Sequence, residues 1–267
     1  MKMAEFVPIS YRYCRNNVKG VQPMPKKIFI SSDIHGYFTE LMSALDEAGF
    51  DAENEDHYFV SGGDLFDRGT ENAQVYGFVK GLERRILIKG NHEQMLCEAL
   101  DCGISTSREH DNGAENTIRE LLGPDAIGDG GCIDVDRYAE KIKEIKDFVA
   151  SMSDYLEVDD YVIVHGWLPV LFEGRWPTVD PQWREASDEE WDFARELGWH
   201  ELYGVGATLA GKTIVCGHRP SRLGSMYDSL RDPNFSEPFY GDGMIAIDAG
   251  TVRSGRVNVI VIETSEL

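Results

Sequence analysis

Asp33 and His35 in SDIHG, Asp64 in VSGGDLFDRG, Asn91 and His92 in GNHE, His165 in VHG and His218 in CGH share one setting: each follows an apolar run and lies beside a glycine. Imidazole, carboxylate and amide oxygen together suit a divalent ion such as Mn, Fe, Zn or Ni, and the lack of thiolates argues against a soft site. Two such ions about 3.5–4 Å apart can clamp a phosphoryl group and activate a water between them. One carboxylate must then serve both ions, and Asp64, central in the order of the turns, is the candidate. A lone histidine at a strand end is more often structural than a ligand. Four of the seven histidines occupy these turns, whereas His57, His110 and His200 do not. Seven potential ligands at equivalent points are hard to explain as packing.

The turn Val60–Gly69 carries more chemistry than one ligand. Asp67 lies three residues after Asp64, and Arg68 follows it, with glycines on either side. Glycine lets a backbone take positive φ and approach a ligand closely. The carboxylates could hold a metal, and the arginine could hold a phosphate. Alone, D-x-x-D-R-G also fits an Asx-turn with a surface ion pair; the other four turns weigh against that reading.

Alternating strands and helices must position these turns. KKIFIS reads as a buried strand, with a helix over Tyr37–Ala48. A second strand around Tyr58–Val60 leads to a helix over Glu71–Leu82, and RRILIK leads to a helix through QMLCEAL. Three strand–turn–helix units in succession indicate a βαβα pattern, with ligands gathering at the carboxyl ends of the strands. Residues 103–131 are rich in Gly, Asp, Asn and Ser, with a short helix near Glu115–Leu122. DRYAEKIKEIKDFVASM is an amphipathic helix, followed by the strands YLEV and YVIV. Residues 168–210 are irregular and tryptophan-bearing, with a helix near Asp188–Leu197. KTIVCGH, MIAIDAG and RVNVIVIE make the end strand-rich. Two packed sheets flanked by helices follow from this order. Residues 1–25 show no period and read as a tail or edge element, and residues 26–267 as a single domain.

The chain has 267 residues and a formal net charge of -21. Such acidity disfavours broad nucleic-acid or anionic-membrane binding, both of which need positive surface. A phosphorylated substrate stays compatible, because a metal ion dominates its own site. Five cysteines are scattered without a C-x-x-C pair, as expected for free thiols in a reducing compartment. With neither a signal-peptide h-region nor an apolar run of membrane-spanning length, the reading is a soluble, cytoplasmic protein.

The ordered set Asp-x-His-Gly, Gly-Asp-x-x-Asp-Arg-Gly, Gly-Asn-His-Glu, His-Gly and Gly-His resembles the metallophosphoesterase superfamily. The Asp-Arg-Gly and Asn-His-Glu details resemble its phosphoprotein phosphatase branch. The resemblance implies an α/β fold of four layers, αββα, with two mixed β-sheets face to face and helices outside. It implies two divalent ions, manganese first among the candidates. Asp33, His35 and Asp64 would hold one, and Asp64, Asn91, His165 and His218 the other. It also implies that Asp67 orients His92, which protonates the leaving oxygen, and that Arg68 binds phosphate. A second phosphate-binding arginine is implied before the last histidine. Arg195 in WDFARELG fits better than Arg184 in QWREAS, which could instead be a surface or specificity residue. VHGWLPVLFEG departs from the eukaryotic phosphatases and is closer to the small bacterial and phage members, which act on phosphoproteins or on symmetrical dinucleoside tetraphosphates. HDNGAENTIRELLG resembles a loop and helix near the site in the bacterial group; an ordinary surface insertion fits it equally. The implied substrate is a phosphorylated protein, with a nucleotide as the alternative. A binding or regulatory protein without catalysis is the remaining reading.

Overall fold

A computed structural model of the chain describes residues 27–103, 112–226 and 235–264. The tail expected over residues 1–25 lies outside them, as does part of the 103–131 segment. Strand β1 (Lys27–Ser31) is KIFIS, buried on both faces after its first residue. Its alternation sorts the side chains between two layers. Ile28 and Ile30 meet Ile163, Val215 and Ile247 from the other sheet, while Phe29 meets Leu41, Leu45 and Phe59 on the helical side. Helix α1 (Phe38–Ala48) supplies Leu41 and Leu45, one turn apart on its buried face, and stops at Gly49, whose φ is 79°. Left-handed backbone of this kind ends a helix at little cost when the residue is glycine.

Strands β2 (His57–Ser61) and β3 (Arg85–Leu87) run parallel to β1. They are followed by α2 (Asn72–Gly81) and α3 (Asn91–Cys102). Helices α4 (Ala114–Leu122) and α5 (Ala139–Ala150) complete the layer on that side. The second sheet begins with the antiparallel pair β4 (Tyr155–Val158) and β5 (Tyr161–Val164). A two-stranded ribbon, β6 (Val170–Leu171) with β7 (Thr178–Val179), and helices α6 (Asp188–Arg195) and α7 (Trp199–Gly204) follow. The chain closes with β8 (Thr213–Cys216), β9 (Phe239–Gly241), β10 (Met244–Ala246), α8 (Thr251–Ser254) and β11 (Val259–Glu263). The sheets read β11–β1–β2–β3 and β4–β5–β8–β10–β9. Both are mixed, they pack through Ile and Val side chains, and helices cover their outer faces, the αββα order expected.

The sequence left residues 168–210 irregular, and the structure shows why they hold together. Trp167, Trp183, Trp191 and Trp199 are buried against Val162, Val164, Ile214 and Met244 on the outer face of the second sheet. Ser187 starts α6, where its hydroxyl accepts from Glu190 N–H and its own N–H donates to the Glu190 carboxylate at 2.7 Å. Strand β11, last in sequence, returns to the first sheet and pairs antiparallel with β1. No helix among the described residues is long and apolar enough to cross a membrane.

Candidate metal centre

The parallel strands β1, β2 and β3 of one sheet and β5 and β8 of the other bring the five polar turns together. Six non-glycine residues of these turns have left-handed backbone: Asp33, His35, Asp64, Asp67, Arg68 and His218, with φ from 51° to 73°. Asp159 alone shares this among the other described residues. Such conformations cost on the order of 1–3 kcal/mol each and collect where geometry is over-determined. Glycines admit the close approaches. A Cβ on Gly90 would overlap the Asp64 carboxylate and backbone nitrogen, and one on Gly217 would overlap Asp33 and Ser32.

The donor atoms of His35, Asp64 and His92 lie within 4.8 Å of one another, as do those of Asp64, His165 and His218. Asp64 belongs to both groups, and its oxygens divide between them. Oδ1 is 3.3 Å from His165 Nε2, and Oδ2 is 3.7 Å from His35 Nε2. Asn91 Oδ1 sits 2.9 Å from His165 Nε2 and 3.0 Å from His218 Nδ1. Asp33 Oδ1 is 4.0 Å from His35 Nε2; both Asp33 oxygens accept from His218 N–H, and Oδ2 also from the Ser32 hydroxyl. All six residues expected as metal ligands are therefore neighbours, and His92 lies at the same place.

Hydrogen bonds fix which ring nitrogen of three histidines faces inward. A carbonyl only accepts, so the nitrogen facing it carries the proton. His35 Nδ1 faces Phe66 O at 2.9 Å, His165 Nδ1 faces Gly62 O at 2.9 Å, and His218 Nε2 faces Glu196 O at 3.2 Å. In each ring the other nitrogen turns toward Asp64 or Asn91, an arrangement that presents ligands to a cation. Burial holds His35 well below the ordinary imidazole range and His218 at about 3, so their lone pairs stay available. His165 is raised to about 9: burial opposes this, and the Asp64 charge and hydrogen bond outweigh it. The same carboxylate would attract a metal cation. Inward imidazole nitrogens, carboxylates and an amide oxygen fit two borderline divalent ions.

His92 differs from the other three. Its Nδ1 donates to the Asp67 carboxylate at 2.7 Å, not to a carbonyl. Burial pulls this imidazole down, but Asp64 and Asp67 raise it on balance. The other Asp67 oxygen accepts from the Thr117 hydroxyl at 2.6 Å. Thr117 lies on α4, and Glu120 of the same helix accepts from the Asn72 amide at 2.9 Å. The helix within HDNGAENTIRELLG thus supports the site.

The three expected phosphate arginines part company. Arg68 is exposed over the cluster, with Nη1 2.8 Å from His35 Nε2 and Nη2 3.2 Å from His92 Nε2. Arg195 is buried; it pairs with Asp154 at 2.5 Å and with Asp192, and also reaches Gln94. Asp154 precedes β4, whose first residue pairs with the last of β5, so Arg195 lies toward the cluster end. Arg184 is not brought to the cluster. It makes a forked pair with Glu157, both bonds 2.8 Å, and Lys212 from the start of β8 joins them at the opposite end of the sheet.

Glu93 had no role in the sequence reading. Its buried carboxylate accepts from the backbone N–H of Asp64 at 2.9 Å, Leu65 at 2.7 Å and Gly90 at 2.8 Å, welding two ligand turns together. Its position three residues after Gly90, which caps α3, was the available signal. Thr251, whose hydroxyl donates to Asp33 O at 2.7 Å, offered no local signal.

These features define a class. The family model for calcineurin-like phosphoesterases matches residues 26–246, and the chain belongs to that family. It is 38% identical over 82 residues to a symmetrical bis(5'-nucleosyl)-tetraphosphatase of Buchnera aphidicola, across 30% of this chain and 28% of that protein. It is 35% identical over 81 residues to serine/threonine-protein phosphatase 1 of Salmonella typhimurium, across 30% of this chain and 36% of that protein. The chain thus matches under two fifths of the length of either relative. Among solved structures, the cold-active protein-tyrosine phosphatase of a psychrophilic Shewanella shares the fold, with a TM-score of 0.54 and 17% identity over 90% of this chain and 76% of that one.

Proposed function

We propose that this protein is a two-metal phosphoesterase that hydrolyses phosphoric esters at the cluster around Asp64. The observation that carries the reading is the division of Asp64, with one oxygen toward His165 and the other toward His35. Asp33, His35 and Asp64 would hold one ion, and Asp64, Asn91, His165 and His218 the other, with manganese the first candidate. Two ions there supply Lewis-acid activation of a water and positive charge for the phosphoryl oxygens. The protein's own groups do the rest. Arg68, at the mouth, swings its guanidinium from the imidazoles onto a substrate oxygen. Asp67 keeps the His92 proton on Nδ1 and favours the imidazolium, so that Nε2 can deliver a proton to the leaving oxygen. Arg195 remains the second candidate for phosphate, although two carboxylates share its charge; Arg184 is read as a surface residue. The free thiols of Cys97, Cys102, Cys132 and Cys216 fit a cytoplasmic setting.

The sequence favours a phosphoserine or phosphothreonine ester as substrate. The second reading, a dinucleoside polyphosphate, is favoured by an exposed aromatic pair that could stack on a base, Phe172 with Phe193. Manganese-loaded protein assayed on a phosphoserine peptide, diadenosine tetraphosphate and an aryl phosphate tests the proposal. Turnover that disappears with chelation is expected. A chain that binds metal but cleaves none of them would be the regulatory protein instead.

A further inference from the structure

Strand β10 runs parallel to β8 and leads into IDAG, an aspartate after an apolar run beside a glycine, as in the ligand turns. That aspartate, Asp248, belongs to neither ligand set. The structure nevertheless ties its turn to two of the ligand turns. Ile247 N–H donates to Cys216 O and Ser221 N–H donates to Asp248 O, both at 2.8 Å, on either side of His218. Three residues after Asp248, the Thr251 hydroxyl donates to Asp33 O at 2.7 Å.

Asp248 is 4% exposed. Its Oδ1 accepts from Gly250 N–H at 2.6 Å, the one hydrogen bond its carboxylate makes among the described residues. No lysine or arginine of the described residues pairs with it. The other buried carboxylates around the cluster are better served. Glu93 has three backbone N–H donors, Asp67 an imidazole and a hydroxyl, and Asp33 a hydroxyl and the His218 N–H. Burial first, and the charge of Asp33 second, push the Asp248 carboxyl well above the usual carboxylate range, while Gly250 N–H and Arg68 act the other way. The buried Cys216 thiol is pushed up by burial and then by the charges of Asp33 and Asp248, so both carboxylates are within its reach. Two carboxylates buried near each other, one of them with a single donor and no basic partner, are unfavourable as anions unless a cation compensates them.

We propose that Asp248 is a positioning residue for the ion held by Asp33, His35 and Asp64: it is not a ligand, and its charge near Asp33 strengthens that half of the cluster for a dication. The inference rests on the two-metal reading and adds an asymmetry to it. Asp33, Asp64 and Asp248 serve one ion, whereas Asp64 is the one carboxylate in the ligand set of the other.

Calorimetric titration of manganese into metal-free protein tests this without requiring turnover. Two backgrounds separate the halves: His218→Ala keeps the Asp33–His35 side, and His35→Ala keeps the other. Asp248→Asn preserves the shape and the bond from Gly250 and removes the charge. In the His218→Ala background it should raise the Kd of the remaining ion by roughly 10- to 100-fold, the range for residues that support metal ligands. In the His35→Ala background the rise should be much smaller. Asp248→Glu should restore part of the affinity. Thermal unfolding separates this role from one in folding. Without metal, Asp248→Asn should melt no lower than the wild type, and manganese should raise its midpoint by less. A lower midpoint without metal, an unchanged Kd, or equal losses in the two backgrounds would overturn the inference. Failure of the wild type to bind manganese would remove the two-metal reading and this inference with it. A wild type that binds two ions, with Asp248→Asn binding them equally well, would remove the inference alone.

Discussion

At the residue scale, one partner separates His92 from the other imidazoles of the cluster: a carboxylate, where His35, His165 and His218 have carbonyls. A carboxylate on Nδ1 favours the doubly protonated ring, which suits a proton donor. A carbonyl brings no charge and leaves the inward nitrogen to its other partners; at His165 that partner is the Asp64 carboxylate, which raises the ring and would equally attract a metal cation. His92→Asn should therefore lower kcat by about 10²–10⁴ on an ester with a poor leaving group. On an aryl phosphate, whose leaving oxygen needs no proton, the loss should be smaller; equal losses would remove the acid role. Arg195→Ala should show first in stability. The side chain is 3% exposed and its carboxylate partners are 33% and 41% exposed. Its loss should cost on the order of 1–3 kcal/mol, below the ~3–5 kcal/mol of a fully buried pair because both partners keep contact with water. A thermal melt at wild-type temperature would show that the pairs contribute nothing. The sequence could name Arg184 and Arg195 as arginines in the right interval. It could not show Glu157 or Asp154 waiting for them, 27 and 41 residues away.

At the element scale, the ligand turns were legible because each breaks an apolar run with glycine and one or two polar residues, and the fold places such breaks at the ends of parallel strands. What supports the turns was not legible. Thr117 reaches Asp67 across 50 residues, and nothing in the local pattern of α4 marks that threonine apart from its neighbours. Thr117→Val keeps the shape and removes the hydroxyl, so the Asp67 carboxylate loses one of its two side-chain partners. Activity should fall about 10-fold or more, as for other groups that orient a catalytic side chain, with metal content unchanged; loss of metal would mean that α4 holds the whole cluster. The ribbon β6–β7 was invisible because two-residue strands carry no period, and α7 because it is only six residues long. The return of β11 to β1 was hidden for another reason: an apolar alternation says that a strand is buried, not which neighbour it pairs with. Ser187 is a more local matter. Ser187→Ala removes the cap of α6 and should cost about 1 kcal/mol, read as a lower thermal midpoint.

At the scale of the molecule, the net charge of -21 repels the anion that the site should bind. Two divalent ions would add up to four positive charges at the one place where they are needed, so their removal should abolish phosphate binding as well as turnover. It should also destabilise the fold: ions present at a hundred times their Kd contribute about 2.7 kcal/mol each. On the proposed reading Asp64 would serve both ions. Metal content per chain, measured after dialysis against manganese and then metal-free buffer, tests it directly for three proteins. Wild type should hold two ions. His218→Ala, which touches one half of the cluster, should hold about one, and Asp64→Ala less than one. Two ions retained by Asp64→Ala, in a chain that still melts cooperatively, would contradict the account.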